Sequence, residues 1–228
     1  MNVEIWSDIA CPWCYVGKRR FEKALESFEH RDEITLTWRS FELDPGAPAE
    51  REGSQAENIA AKYGLSVDEA RARQQQLVDT AAGDGLAFDF EHARGGNTFD
   101  GHRLVHLAAT HGKQDAMKER LLSAYLEEGQ LISDHATLRR LAAEVGLPED
   151  EVVDTLATDR FGDEVRADER TGSSLGITGV PFFVIDRAMG ASGAQPPEVL
   201  LDFLQQGWDA RPPLAVVADG ATCGPDGC

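Results

Sequence analysis

The sequence predicts an α/β fold in which a large all-helical insertion separates a βαβ unit from a ββα unit. A strand pattern, a helix pattern and a second strand pattern lie within the first 44 of the 228 residues. Helical patterns then dominate residues 45–176, and strand-like residues return only near residue 180. Strands that are distant in sequence but similarly apolar most economically share one sheet, so we expect a mixed sheet.

The first unit begins with an alternating strand over Asn2–Ser7, and a helix with one apolar stripe follows from Pro12 to Phe28. Residues 34–41 are rich in β-branched and aromatic side chains and predict the second strand. A strand, a helix and a strand within about forty residues predict a right-handed crossover between parallel strands.

In the insertion, Pro45 and Pro48 end the second strand and open a helical tract. Ser66 and Glu69 form a capping box, which predicts that a helix begins there and continues to about Ala82. Glycine and proline residues separate several of the helices that follow. We predict these helices over residues 97–110, 114–128, 134–145, 148–156 and 159–175.

The last unit is predicted to contain a strand over 179–186, an antiparallel strand over 189–192 and a helix from Pro197 to Gln206. Proline, glycine and alanine are frequent from Arg211 onward, so we expect a flexible tail there. The predicted domains are residues 1–44 with 177–210, the inserted helical domain 45–176, and the tail 211–228 with a second cysteine pair.

Composition limits the function classes. The formal net charge of −18 argues against nucleic-acid binding, because phosphates would repel such a surface. No apolar run approaches the length of a membrane-spanning helix, and the N-terminal residues lack the basic and apolar regions of a secretory signal. We therefore expect a cytoplasmic protein without membrane partners, whose four cysteines serve catalysis or metal binding rather than structural disulfides.

Cys11 and Cys14 flank Pro12-Trp13 at the point where the first strand ends and the first helix begins. This is the C-x-x-C spacing of redox dithiols, although zinc sites share it. Pro12 suits the first helical turn, which places Cys11 at the helix N-terminus. Free N–H groups and the helix dipole there favour an anion, so we expect them to lower the pKa of the Cys11 thiol.

Together with Val180-Pro181 before the third strand and with the inserted helices, this motif resembles the DsbA-type oxidoreductases of the thioredoxin fold. Within that superfamily the sequence is similar to the cytosolic FrnE-like branch. The stretches that carry the resemblance are residues 8–17, 176–183 and 192–196, which read DIACPWCYVG, GITGVPFF and SGAQP. The resemblance implies a thioredoxin fold with a helical insertion.

The resemblance also implies roles for single residues. Pro181 would be a cis-proline that faces the dithiol and leaves the backbone of Val180 free to pair with an extended substrate. Cys11 would be the nucleophile that forms a mixed disulfide with the substrate. Cys14, one turn into the helix and more buried, would resolve that mixed disulfide.

Pro12 and Trp13 are assigned to substrate binding. The Trp13 ring would either form an apolar platform for the substrate or pack on its own helix. Because they differ from the Pro-His pair of the strongly oxidising relatives, we expect an intermediate reduction potential. The predicted activity is thiol–disulfide oxidoreductase, with disulfide isomerase activity left open. The expected substrate is a thiol or disulfide of a protein or of a small molecule. We expect no cofactor, and glutathione is a candidate electron partner. The expected assembly is a monomer or a homodimer.

Cys223 and Cys228 form a second pair around Gly-Pro-Asp-Gly, a sequence that favours a tight turn. They would be an auxiliary redox pair that exchanges electrons with Cys11 and Cys14, or an exposed disulfide formed by adventitious oxidation. A zinc site made of all four cysteines is disfavoured. Such sites usually contain two C-x-x-C pairs, and four residues separate the second pair here.

His102 and His106 lie four residues apart on one predicted helix, a spacing found in metal sites. Arg103 occupies the position of the glutamate in an H-E-x-x-H site, so we favour a structural role in docking the inserted helices. The stretch is similar to one in kappa-type glutathione transferases and chromene-carboxylate isomerases, where it abuts the active site. Several acidic residues are interpreted as solvated faces: Asp89, Glu91 and the runs 149–154 and 163–169.

A kappa-type glutathione-dependent transferase or isomerase on the same fold is the alternative function. Such relatives usually have serine at the first active-site position and need no resolving thiol. The presence of both Cys11 and Cys14 therefore favours the oxidoreductase. A non-catalytic binding or chaperone module of the same fold is a third alternative, and an insulin-reduction assay distinguishes it.

Overall fold

The computed structural model describes residues 1–211 and contains a four-stranded mixed sheet of order β2-β1-β3-β4. β1 (Asn2–Ser7) pairs in parallel with β2 (Thr35–Ser40) and antiparallel with β3 (Phe182–Ile185). β4 (Met189–Ser192) completes the sheet as the antiparallel partner of β3. The sheet confirms the predicted α/β fold with its βαβ and ββα units.

Two helices belong to the sheet units, α1 (Pro12–Glu26) and α9 (Pro197–Asp209). None of the helices in residues 1–211 is both long and apolar enough to cross a membrane. The helices between β2 and β3 are α2 (Gln55–Tyr63), α3 (Val67–Gly83), α4 (Phe99–Thr110), α5 (Gln114–Leu126), α6 (His135–Val145), α7 (Glu149–Ala157) and α8 (Gly162–Ser174).

One face of the sheet is covered by α1 and α9. Val3 and Ile5 of β1 are fully buried there, in the same apolar core as Phe21 of α1 and Leu204 of α9. The rings of Phe21 and Phe183 stack with their centroids 5.5 Å apart. This packing fixes α1, and with it the dithiol at its N-terminus, against β3.

The other face is joined to α8 through one buried carboxylate. Asp168 is 5% exposed and accepts hydrogen bonds of 3.0 Å from the Ser40 backbone N–H and from Arg39 Nη1. His106 Nε2 lies 3.1 Å from the same carboxylate, and Trp6 Nε1 donates to the Asp168 carbonyl oxygen at 2.9 Å. The interpretation of this acidic run as a solvated face is therefore wrong at Asp168, because its carboxylate ties the insertion to the strands.

The beginning of the insertion also differs from the prediction. Residues 45–53 contain turns and bends rather than helix, because proline and glycine residues interrupt the hydrogen bonds that a helix needs. α2 begins only after Ser54, which forms a capping box with Glu57. The same signal at Ser66 and Glu69 starts α3, as predicted.

The third strand is shorter than predicted. The segment that precedes Phe182 is bent, and regular pairing with β1 and β4 begins at that residue. Pro181 has no N–H to donate to a neighbouring strand, so it cannot continue the sheet. The bend places the Val180–Pro181 segment at the end of the sheet where α1 begins.

Candidate active site

The dithiol lies where β1 ends and α1 begins. Cys11 precedes the helix with extended backbone angles (φ −95°, ψ 109°), and Pro12 is in the first turn. Cys14 is fully buried, whereas Cys11 is 4% exposed. Both side chains are free thiols. The order of accessibility is the one expected for a nucleophile followed by a resolving cysteine.

The Val180–Pro181 segment lies against this dithiol, and its peptide bond is cis. The Cys11 thiol donates a hydrogen bond to the Val180 carbonyl oxygen, with 3.6 Å between sulfur and oxygen, across 169 positions of sequence. Gly17 of α1 permits the close approach, since a Cβ there would lie 2.9 Å from Pro181 Cγ. Gly17 was not predicted as a site residue. A glycine inside a helix lowers the stability of the helix by about 1 kcal/mol relative to alanine. Its presence within α1 therefore indicates that another part of the chain packs closely there.

Apolar side chains are exposed close to the dithiol. The Trp13 side chain is 44% exposed, and Pro12 is half-buried. Leu43, beyond β2, is 45% exposed. Val180 is half-buried and packs on the small apolar cluster around Trp6. The surface around Cys11 is therefore suited to an extended, partly apolar substrate.

The two thiols ionise as a coupled pair. The hydrogen bond with Cys14, burial and the charge of Cys14 raise the pKa of the Cys11 thiol well above its usual value. Burial also opposes ionisation of Cys14, but the hydrogen bond from Cys11 and the charge of Lys118 hold the pKa of the Cys14 thiol below its usual value. These opposite shifts favour Cys14 over Cys11 as the first thiol to ionise in the dithiol form. The expected low pKa of Cys11 is wrong for this form, because the hydrogen bond with Cys14, burial and the charge of Cys14 outweigh the helix terminus.

Lys118 of α5 is the cation of the site. It is 1% exposed, and its Nζ donates a hydrogen bond of 3.1 Å to the Ser7 carbonyl oxygen at the end of β1. Burial lowers the pKa of Lys118 to about 8, against the opposing effect of Cys14 and Asp8. Lys118 was not predicted from the sequence either. Its signal is a lysine placed on the apolar stripe of α5, in line with Leu121, Leu122 and Tyr125.

Asp8 lies beside the dithiol and connects it to the insertion. Its carboxylate is buried, accepts a hydrogen bond of 2.8 Å from the Leu43 N–H and lies 3.2 Å from His102 Nε2. Burial opposes its ionisation, but the hydrogen bond and charge of His102 hold the pKa of Asp8 below its usual value. Burial in turn lowers the pKa of His102. His106 is directed elsewhere, to Asp168, so the two histidines contact different carboxylates.

A cavity of about 600 Å³ is bordered by Asp8 and Ala10, the residues just before Cys11 in the chain. Asn58 and Lys62 of α2 border it on the other side. α2 and α3 pack on each other around their own small alanine core. Among residues 1–211, no carboxylate lies within ion-pair distance of Lys62, and its Nζ lies 5.6 Å from the centroid of the Tyr63 ring.

Cys223 and Cys228 lie outside the described residues, so their exchange of electrons with the dithiol stays a prediction. Within residues 1–211, no three histidine, cysteine, aspartate or glutamate side chains are grouped so that they could hold a metal ion. Of the predicted site residues in that part of the chain, Cys11, Cys14, Val180 and Pro181 are brought together. Trp13 is exposed beside them.

Comparisons with known proteins agree with this fold. Residues 2–205 match the DSBA-like thioredoxin domain family. The crystal structure of a probable DsbA oxidoreductase, SCO1869 from Streptomyces coelicolor, is 48% identical with a TM-score of 0.91, over 100% of this chain and 98% of that one.

Two more distant proteins are also similar. An uncharacterised Bacillus subtilis protein, YwbO, is 26% identical over 207 residues, which are 85% of this chain and 92% of YwbO. The cytosolic disulfide reductase DsbM from Pseudomonas aeruginosa is 18% identical with a TM-score of 0.64, over 92% of this chain and 100% of that one. At that identity the likeness to DsbM concerns the fold alone.

Proposed function

Because the chain belongs to the DSBA-like thioredoxin domain family, we propose that it is a thiol–disulfide oxidoreductase whose redox centre is Cys11 with Cys14. One observation carries the proposal: two adjacent thiols at a helix N-terminus, with the Cys11 thiol hydrogen-bonded to Val180 and the charge of Lys118 acting on Cys14. A single thiol would suffice for binding. A second thiol one helical turn away can resolve the mixed disulfide that the first thiol forms with a substrate.

The reaction begins with a proton shift along the Cys11–Cys14 hydrogen bond, which moves the negative charge from Cys14 to the more accessible Cys11. The Cys11 thiolate attacks a substrate disulfide, and one substrate sulfur leaves as a thiolate. Cys14 then attacks Cys11, so the dithiol loses two electrons as the substrate disulfide gains them. The backbone of Val180 and the ring of Trp13 hold the substrate while this happens.

The direction of the reaction follows from the reduction potential of the pair. Dithiols of this kind range from about −270 mV to about −120 mV, a span of roughly 7 kcal/mol. Lys118 favours the thiolate and therefore the reduced form, whereas burial of both sulfurs opposes it. We propose an intermediate potential, which allows reduction or isomerisation of disulfides according to the electron partner.

The cavity beside Asp8 widens the proposed range of substrates. A volume of about 600 Å³ is that of a small-molecule site, and Lys62 on its wall favours a carboxylate. We propose that the site accepts a small acidic thiol such as glutathione as electron partner, in addition to an extended peptide along Val180. The transferase or isomerase alternative gains no support from the site, because that chemistry gives Cys14 no task. The cytoplasmic location and the absence of a bound cofactor stay predictions.

The tail cysteines are proposed as an auxiliary redox pair. Residue 211 lies at the end of α9, where Trp208 packs on Phe28, far along α1 from Cys11. α1 is about 22 Å long at 1.5 Å per residue. The twelve residues that follow Arg211, up to and including Cys223, can span up to about 40 Å, so the length of the chain permits contact with the dithiol.

Removing the tail cysteines tests that proposal. We expect Cys223→Ser with Cys228→Ser to slow turnover with glutathione several-fold while leaving the first reaction of Cys11 unchanged. A chain that ends before Cys223 is the matched control for the length of the tail. Turnover and reduction potential that are the same in all three proteins would contradict an auxiliary role.

A further inference from the structure

Four ionisable side chains are buried together behind the dithiol, and they come from different parts of the fold. They are Cys14 of α1, Asp8 before that helix, Lys118 of α5 and His102 of α4, each 1% exposed or less. While Cys14 is protonated, the Asp8 carboxylate and the Lys118 ammonium balance each other and His102 is neutral. The cluster then carries no net charge.

The resolving step, in which Cys14 attacks the mixed disulfide, disturbs this balance. That step belongs to the proposed function, so a role of these groups in it rests on that function. Once Cys11 is in a mixed disulfide, it can no longer donate the hydrogen bond that stabilises a Cys14 thiolate. Cys14 must still lose its proton before it can attack, although it is fully buried. The thiolate would give the cluster an uncompensated negative charge, which is strongly unfavourable in a buried site.

We propose that His102 binds a proton when Cys14 becomes a thiolate and so keeps the buried cluster neutral during the resolving step. His102 acts as a positioning residue, since it contacts Asp8 rather than the reacting sulfur atoms. Its Nε2 lies 3.2 Å from Asp8 Oδ1, and the Leu43 N–H holds Asp8 Oδ2 at 2.8 Å. Asp8 also borders the cavity of about 600 Å³, through which the pair exchanges protons with solvent.

Among the ionisable groups around the Asp8–His102 pair, His102 is the group that can gain a positive charge. Lys118 is already a cation, and its charge opposes protonation of His102 until the Cys14 thiolate offsets it. Tyr125 of α5 also faces Asp8, and burial keeps it neutral by raising its pKa.

The remaining ionisable groups on α4 are directed away from the cluster. His106 is bound to Asp168 of α8 and lies 3.2 Å from the Ser40 hydroxyl. Arg103 donates to the carbonyl oxygens of Thr155 and Thr158 at the end of α7. Neither residue can take up the charge that arises beside Cys14.

The step is balanced in protons and electrons. Cys14 loses one proton and His102 gains one, so the charge of the cluster is conserved. The Cys14 thiolate attacks Cys11 Sγ, the bond between Cys11 and the substrate sulfur breaks, and that sulfur leaves with the electron pair. The Cys11–Cys14 disulfide removes the negative charge, and His102 then gives its proton to solvent or to the departing thiolate.

His102→Gln in the full chain tests the proposal, with both tail cysteines replaced by serine. Glutamine keeps a donor near Asp8 but cannot bind a proton near neutral pH. The dithiol form is mixed rapidly with an aromatic disulfide whose thiol product is coloured, so that attack by Cys11 and resolution by Cys14 appear as two phases. We expect an unchanged first phase, a second phase slowed at least about tenfold near pH 7, and a second-phase pH profile shifted to higher pH.

His106→Gln is the matched control, because it removes a histidine from the same helix that does not contact Asp8. We expect both of its phases to match those of the unsubstituted chain. A second phase in His102→Gln with unchanged rate and pH profile would overturn the proposal. So would an equal slowing in His106→Gln, since it would indicate a general effect on folding or docking.

A measurement on the unsubstituted histidines covers the case in which His102→Gln does not fold. NMR titration of the His102 ring is expected to give a higher pKa in the dithiol form than in the disulfide form, because a Cys14 thiolate attracts the proton. Identical titrations in the two forms would refute the coupling. This readout needs no turnover, so it separates failure of the coupling from failure of the oxidoreductase function.

Discussion

Cys11→Ser is expected to abolish disulfide exchange, with insulin reduction by dithiothreitol falling to the rate measured without the protein. The reason is chemical, because a serine hydroxyl cannot form a mixed disulfide. The fold should be unaffected, since Cys11 precedes α1 and its side chain makes no capping hydrogen bond. The measurement is the rate of insulin precipitation, together with the thermal unfolding midpoint as a check on folding.

Cys14→Ser is the matched variant and should behave differently. Its Cys11 remains a nucleophile but cannot be resolved, so the protein should accumulate a mixed disulfide with its substrate, visible by mass spectrometry. Insulin reduction that survives in Cys11→Ser would exclude the proposed nucleophile. A Cys14→Ser protein that never retains substrate would exclude the two-step mechanism.

Asp168→Ala is expected to lower the free energy of unfolding by about 3 to 5 kcal/mol. The change leaves the buried Ser40 N–H without its acceptor, removes the carboxylate beside His106 and releases Arg39. For a chain of this size the unfolding midpoint should fall by about 10 °C. Urea denaturation followed by circular dichroism measures the effect.

Asp163→Asn provides the control, because Asp163 is an exposed residue of the same helix. Its effect should stay below about 1 kcal/mol, the scale of a surface charge near a helix terminus. A loss of similar size in both variants would mean that the junction of α8 with the sheet does not depend on the buried carboxylate.

Local signals account for the features that were predicted well from the sequence. Strand alternation at Val3 and Ile5 and the capping box at Ser66 depend on neighbouring residues only, and β1 and α3 begin as expected. The dithiol at the junction of β1 and α1 was predicted in the same way. The Val180–Pro181 segment lies 169 positions from Cys11, and only the resemblance to a family brought the two together.

The missed features depend on tertiary packing. Asp168 looks like an ordinary surface charge, and the place of Lys118 on the apolar stripe of α5 does not reveal its partners. Once the helices are assembled, each is covered by strands and helices far away in sequence. The same holds for the pKa values of the thiols, since the hydrogen bond between Cys11 and Cys14, their burial and the charge of Lys118 all arise only in the folded protein. A helix-terminus effect on Cys11 alone could not include that charge.

The most direct test of the central claim is a redox titration of the Cys11–Cys14 pair. The full chain with serine at both tail positions is equilibrated with glutathione buffers, alkylated and analysed by peptide mass. We predict one two-electron transition between a Cys11–Cys14 disulfide and the dithiol, at a potential between about −270 mV and about −120 mV. If no Cys11–Cys14 disulfide formed at any buffer composition, the assignment of this protein as a dithiol oxidoreductase would be contradicted.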